Sequence, residues 1–160
     1  MPKVDKIETF LILHNVRSSY NVGSIFRTAD GAGIAKIFLC GYSPVPDMER
    51  KISKTALGAE KYVPWEKHKQ TWRLLERLRG EGIKIIALEQ TEKSKNIFEY
   101  SPPKRPFAVL AGHERKGLSK KILKYVDEAV EIPMFGKKES LNVSVAVGIT
   151  VYELRRKLTL

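Results

Sequence analysis

The stretch FLILHNVRSSYNVGSIFRTADGAGIAKIFLCG, residues 10–41, holds two apolar runs around one amphipathic segment. Residues 10–14 read as a short strand, and the polar, turn-prone run 15–21 breaks it. Val22, Ile25, Phe26 and Ala29 then recur at helical spacing. Asn21 is the expected N-cap of that helix, and Gly31 to Gly33 its expected stop. Arg27 lies off the apolar stripe or at its edge. Residues 36–40 form a second strand, ended by Gly41. Strand, helix and strand in this order make a β-α-β unit, which argues for a parallel sheet.

The pattern continues outward. Residues 44–54 read as a loop or short helix, and residues 62–64 as a possible short strand. A helix is expected over 71–79, with Trp72, Leu75 and Leu78 on its inner side and Gly80 and Gly82 at its end. Residues 83–88 are continuously apolar, as a strand buried on both faces is. A Pro-bearing connection over 97–106 precedes a strand at 107–111, a helix at 119–126 and a last strand at 129–132. This alternation predicts an α/β fold with a mostly parallel sheet of five or six strands. No repeat or linker interrupts it, so residues 1–160 are expected to form one domain.

Near the C-terminus, residues 143–151 are small or β-branched on nearly every side of the helix they predict. Ser140 is its expected N-cap. A helix that is apolar all round is buried all round, and a chain this short has little to cover it with. A partner subunit is therefore expected. Asn142 and Ser144 are the polar exceptions, and Asn142 reads equally as a satisfied structural residue or a functional one.

The chain has 29 basic and 18 acidic residues, a net charge of +11, which points to a polyanionic partner such as nucleic acid. The single cysteine, Cys40, sits in an apolar run, which rules out a disulfide framework and a zinc cluster built on cysteines. His14, His68 and His113 share no metal-ligand spacing, so no metal is expected. No apolar run reaches the ~18 residues of a membrane span, and the N-terminus shows no signal-peptide core, so a cytoplasmic location is expected. A Gly-x-x-x-x-Gly-Lys-Ser/Thr phosphate loop is absent, and the glycines at 31 and 33 precede a strand where a dinucleotide fingerprint would follow one.

Parallel sheets bind ligands beyond the carboxyl ends of their strands. Polar clusters lie at three such ends, over residues 15–21, 112–117 and 134–142. Glycine at 112 and 117 either admits a ligand to the backbone or only shapes a turn. These clusters carry a resemblance. Asn15-x-Arg-Ser-x-x-Asn21-Val-Gly-Ser-Ile-Phe-Arg27 resembles the first motif of the SpoU family of RNA ribose methyltransferases, in the SPOUT superfamily. Phe107-Ala-Val-Leu-Ala-Gly112-x-Glu114-x-x-Gly117-Leu-Ser119 resembles the second, and Ile132-Pro133-Met134-x-Gly-x-x-x-Ser140-Leu-Asn142-Val-Ser144 the third. The three occur in family order and span nearly the whole chain.

The resemblance implies an α/β knot, with the C-terminal segment threaded into a trefoil, and a homodimer. It implies S-adenosylmethionine as cofactor and methyl transfer to a ribose 2′-hydroxyl of RNA. Asn21, Arg27, Glu114, Ser140 and Asn142 take the catalytic positions. Leu88, Gly112, Glu114, Gly117, Ile132, Met134, Ser140, Leu141 and Asn142 take the cofactor positions. Without a separate RNA-binding domain, RNA would be met by surface cations, with Arg17, Lys54, Arg115, Lys116 and Arg155 the first candidates. A tRNA is favoured over rRNA by analogy. The alternative is a catalytically silent RNA-binding module on the same fold. Arg27 reads as a proton acceptor, as a fixed charge that stabilises the alkoxide, or as an ion-pair partner of Asp30.

Overall fold

A computed structural model describes residues 6–159. Its strands are β1 (Thr9–His14), β2 (Lys36–Cys40), β3 (Trp65–His68), β4 (Lys84–Leu88), β5 (Lys95–Asn96), β6 (Phe107–Ala111) and β7 (Glu128–Glu131). Its helices are α1 (Ser19–Ala32), α2 (Lys51–Ala56), α3 (Thr71–Gly80), α4 (Lys120–Leu123) and α5 (Val143–Leu158), with a 3-10 turn at Ala59–Lys61. All seven strands join one sheet in the order β3-β2-β1-β6-β4-β7-β5, and every pairing is parallel.

Alternation along the central strands divides the core in two. Leu11, Leu13, Phe107, Val109 and Ala111 face the side covered by α1, α2 and α5. Ile12, Ala108, Leu110 and Ile85 face the side covered by α3 and α4. Strand β6 is buried along its whole length, as its unbroken apolar run requires. Its neighbours are β1 and β4, so the chain departs to opposite sides of the sheet from β1 and β6. That reversal opens a crevice at the carboxyl ends of the central strands.

The sheet has seven strands where five or six were expected. The short β5 was not foreseen, because two residues cannot show a period. The strand expected at 62–64 lies instead at Trp65–His68, where it extends β2 on its outer edge. Helix α1 begins earlier than expected. Ser18, not Asn21, is its N-cap, with Oγ accepting from the Asn21 N–H at 3.2 Å. Gly31 stays within the helix, and Gly33 ends it at φ 70°, a left-handed conformation that glycine adopts without a Cβ clash. On α3, Leu74 rather than Trp72 joins Leu75 and Leu78 in the core, and Trp72 sits at the boundary. Helix α4 is shorter than expected, running only from Lys120 to Leu123.

The N-cap of α5 is Asn142 rather than Ser140, with Oδ1 accepting from the N–H groups of Ser144 (2.9 Å) and Val145 (3.4 Å). Asn142 is exposed, so it is not the buried amide that the apolar run suggested. Val143, Val147, Thr150, Val151 and Leu154 are buried, while Val145 and Tyr152 remain about half exposed. The chain therefore covers one side of α5 and leaves another open. The end of α5 is anchored by its cations. Arg155 donates to the carbonyls of Ala32 (3.0 Å) and Gly33 (3.2 Å) at the end of α1. Lys157 donates to those of Ile97 and Tyr100. Arg155 was expected to meet RNA, but its guanidinium is engaged with a helix terminus, where a cation is favoured. Among the described residues no helix is long and apolar enough to cross a membrane.

Candidate functional site

The loops after β4, β6 and β7 enclose a cleft of about 280 Å³, close to the low end of the ~300–1,000 Å³ usual for small-molecule sites. Its apolar walls are Leu88, Ile132, Met134, Leu141 and Val143. Gly112, Glu114, Gly117 and Ser140 also line it. Eight of the nine expected cofactor positions thus converge on one cavity. Asn142 is the ninth and caps α5 beside it.

The two glycines of the β6 loop are explained by the loop itself. A Cβ at Gly112 would meet Leu118 Cδ2 at 2.7 Å and the Gly117 backbone at 2.9 Å, and Gly117 has φ +62°. The loop doubles back with His113 paired to Gly117, and His113 Nδ1 accepts from the N–H groups of Arg115 and Lys116, both at 3.0 Å. This tight turn carries Glu114 toward the β1 loop.

There Glu114 accepts from the N–H groups of Ser18 (3.1 Å) and Arg17 (3.3 Å) and from Asn21 Nδ2 (3.4 Å). The carbonyl oxygen of the Asn21 side chain accepts from Asn142 Nδ2 at 3.2 Å. Asn142 Oδ1 in turn receives the Ser144 hydroxyl at 2.6 Å. One polar chain therefore runs from the β6 loop through α1 to the start of α5, joining all three motif clusters. Because Ser18 caps α1, the Asn21 side chain is free for this bridge. Partial burial pushes the Glu114 carboxyl up, but the N–H groups of Ser18 and Arg17, its own N–H and the Asn21 amide outweigh it. They hold it below its ordinary value of 4.5, so it is ionised at neutral pH.

Arg27 is not brought to this chain. It is exposed on α1 and, among the described residues, has neither a hydrogen bond nor an ion pair, so the alternative of a pairing with Asp30 is not formed. Arg17, Lys54, Arg115 and Lys116 are exposed, and Arg115 and Lys116 border the cleft. Ser140 is exposed at its rim.

The cleft also holds Glu89, Gln90, His113, Glu131 and Glu139, none of which was named as a site residue from the sequence, although His113 and Glu139 fall within two of the polar clusters. Glu89 could have been found, because it directly follows β4 and every strand end on this side is a candidate. It accepts from the Leu118 N–H at 2.7 Å, while Gln90 Nε2 donates to the Glu139 carbonyl at 2.8 Å. The β4 loop thereby ties the other two loops together beneath the cleft.

Fold and site together describe an α/β protein with a cleft at the carboxyl ends of β4, β6 and β7 in a parallel sheet. The sequence profile of the SpoU rRNA Methylase family matches residues 8–152, and the chain belongs to that family. The tRNA (guanosine(18)-2′-O)-methyltransferase of Aquifex aeolicus is 33% identical over 144 residues, 89% of this chain and 66% of the relative. An AdoMet-bound rRNA methyltransferase from Sinorhizobium meliloti superposes with a TM-score of 0.88 at 28% identity, covering 96% of this chain and 57% of the other. A structure solved for insight into the 2-OH methylation of C/U34 on tRNA matches with a TM-score of 0.83 at 27% identity, over 96% of this chain and 97% of that one. The chain spans about three fifths of the length of the curated relatives it matches.

The lowered titration of Glu114 has a measurable consequence. A carboxylate held below its unfolded value stabilises the fold above that value and loses the contribution as pH falls through the lower, folded one. Glu114→Gln should therefore flatten the fall in stability below about pH 4.5. Urea midpoints measured from about pH 3 to pH 6 read this directly. Identical pH slopes for variant and parent would remove Glu114 from the fold's acid response.

Proposed function

We propose that this chain transfers a methyl group from S-adenosylmethionine to a ribose 2′-hydroxyl of RNA, with tRNA the favoured substrate. The observation that carries the proposal is the Glu114–Asn21–Asn142 bridge, which fixes three distant loops around one cleft. The residues present suit the cofactor. Leu88, Ile132, Met134 and Leu141 offer apolar walls to an adenine ring, and the carboxylates of Glu89, Glu114, Glu131 and Glu139 favour a ligand with a cationic centre. When bound, S-adenosylmethionine supplies an electrophilic methyl group on a sulfonium.

The chain's own part is positioning and charge. Glu114 accepts three N–H groups and serves to hold the β1 loop in place. Asn21 and Asn142 fix the approach of α1 to α5, and the Ser140 hydroxyl at the rim is free to orient a ribose hydroxyl. In-line placement of a nucleophile supplies much of the rate of such a transfer. The guanidinium of Arg27 stays protonated, since its pKa is roughly 12 or more. It acts as a fixed positive charge that grips a phosphate beside the target and stabilises the oxygen as its proton leaves for water. Arg17, Lys54, Arg115 and Lys116 add the electrostatic attraction that the net charge of +11 anticipates. Favouring tRNA rests on the C/U34 methylation structure, 97% of which this chain matches.

Labelled methyl transfer into total RNA tests the reading, with the modified nucleoside identified by mass spectrometry. Arg27→Ala should lower the single-turnover rate by roughly 100-fold or more, and Arg27→Lys by less, because lysine keeps the charge. Full activity of Arg27→Ala would remove Arg27 from the mechanism. Cofactor and RNA binding by the parent protein without transfer would favour the catalytically silent RNA-binding module.

The proposal includes a homodimer built on the uncovered side of α5, where Val145 and Tyr152 are half exposed. Light scattering at micromolar protein should return twice the chain mass, and the mass of one chain would contradict it.

A further inference from the structure

Asn15 belongs to the first motif, yet it touches neither the cleft nor the bridge. It stands in the left-handed region at φ 55°, which asparagine adopts more readily than other residues with a side chain. Its own N–H donates to the Cys40 carbonyl at 3.1 Å, and its Oδ1 accepts from the N–H of Tyr42 at 3.1 Å. That oxygen occupies the space where a Cβ of Gly41 would lie, and Gly41 is itself left-handed at φ 64°. The residues on either side of Tyr42 are pinned as well. Lys67 Nζ donates to the carbonyls of Gly41 (2.6 Å) and Ser43 (2.7 Å). The buried Ser43 hydroxyl donates to the Leu13 carbonyl and accepts from the Val16 N–H.

All of this restraint presents one aromatic ring to solvent. Tyr42 is 55% exposed, and its only aromatic neighbour among the described residues is His113, at 6.4 Å and 78°. His113 lines the cleft, next to Glu114, and its turn carries the exposed Arg115 and Lys116. The exposed Arg17 stands two residues beyond Asn15. A rigid aromatic face set among cations beside a reaction cleft is the arrangement that binds unpaired nucleotides, with the base stacked on the ring and the cations on the phosphates.

Building on the function proposed above, we infer that Tyr42 is a stacking platform for a nucleobase of the RNA next to the methylated ribose, and that Asn15 is the residue that positions it. Stacking needs no particular base edge, so Tyr42 contributes affinity and placement for an unpaired nucleotide and leaves base identity to other contacts.

The test is the dependence of the initial methyl-transfer rate on total RNA concentration, with cofactor affinity measured by calorimetry on the same proteins. Tyr42→Ala should raise the RNA concentration for half-maximal rate roughly tenfold, with the maximal rate and cofactor affinity unchanged. Tyr42→Phe keeps the ring and should stay within about twofold of the parent, while Tyr42→Leu keeps apolar bulk without a π-face and should behave as the alanine variant does. An alanine variant with unchanged RNA dependence overturns the inference. Loss of cofactor affinity in the alanine variant also overturns it, because Tyr42 would then be a prop for the His113 turn. No transfer by the parent protein would overturn the functional reading and the inference together, whereas parent activity matched by all three variants overturns the inference alone.

Discussion

The amide of Asn21 is the junction on which the site depends. Among the described residues it is the one side chain hydrogen-bonded to both of the other motif clusters. It donates to Glu114 and accepts from Asn142, partners 93 and 121 residues away in sequence. A side-chain amide does both because it carries a donor and an acceptor on neighbouring atoms. An aspartate there would face Glu114 with a second negative charge, and a leucine would leave both partners unpaired. The bridge therefore makes the spacing of three loops a property of one residue. That residue is held in register by the Ser18 cap one turn earlier.

The sheet makes this junction possible. Parallel pairing sends every strand of the centre out on the same side, so the β1, β4, β6 and β7 loops emerge together. Burial of β6 over its full length fixes where its loop begins, and the tight Gly112 to Gly117 turn returns Glu114 toward β1. The polar cross-links of the β4 loop, Glu89 to Leu118 and Gln90 to Glu139, close the floor. The cleft, the bridge and the Tyr42 ring are thus three parts of one strand-end surface. Arg27 makes no hydrogen bond to this network among the described residues and is exposed on α1.

Much of this was legible in the residue pattern, for physical reasons. Continuous apolar runs at 10–14, 36–40, 83–88 and 107–111 predict buried parallel strands, and four strands stand there. The helical spacing of Val22, Ile25, Phe26 and Ala29 matches the buried face of α1. Beside the short or displaced elements, the errors at the site concern choices between neighbouring polar residues. Ser18 and Asn21 both suit an N-cap, as do Ser140 and Asn142, and which of each pair caps depends on what the other meets in space. In the first case Asn21 is drawn to the bridge. In the second Asn142 performs both tasks at once. Surface cations were equally ambiguous. Arg155 and Arg17 look alike in sequence, but only Arg155 lies opposite the carbonyls that end α1. Periodicity carries no information on threading, so the knot entered only through the resemblance.

The central claim is that the three motif loops are coupled through Asn21. Its most direct test is a mutant cycle between Glu114→Ala and Asn142→Ala, two residues that share no hydrogen bond, read out as S-adenosylmethionine affinity by calorimetry. Sites linked through a shared hydrogen-bond network couple by about 0.5–3 kcal/mol, whereas unconnected ones add within about 0.5 kcal/mol. The account predicts coupling in the parent protein and its disappearance when the cycle is repeated in Asn21→Ala. Additive effects with Asn21 present would contradict it.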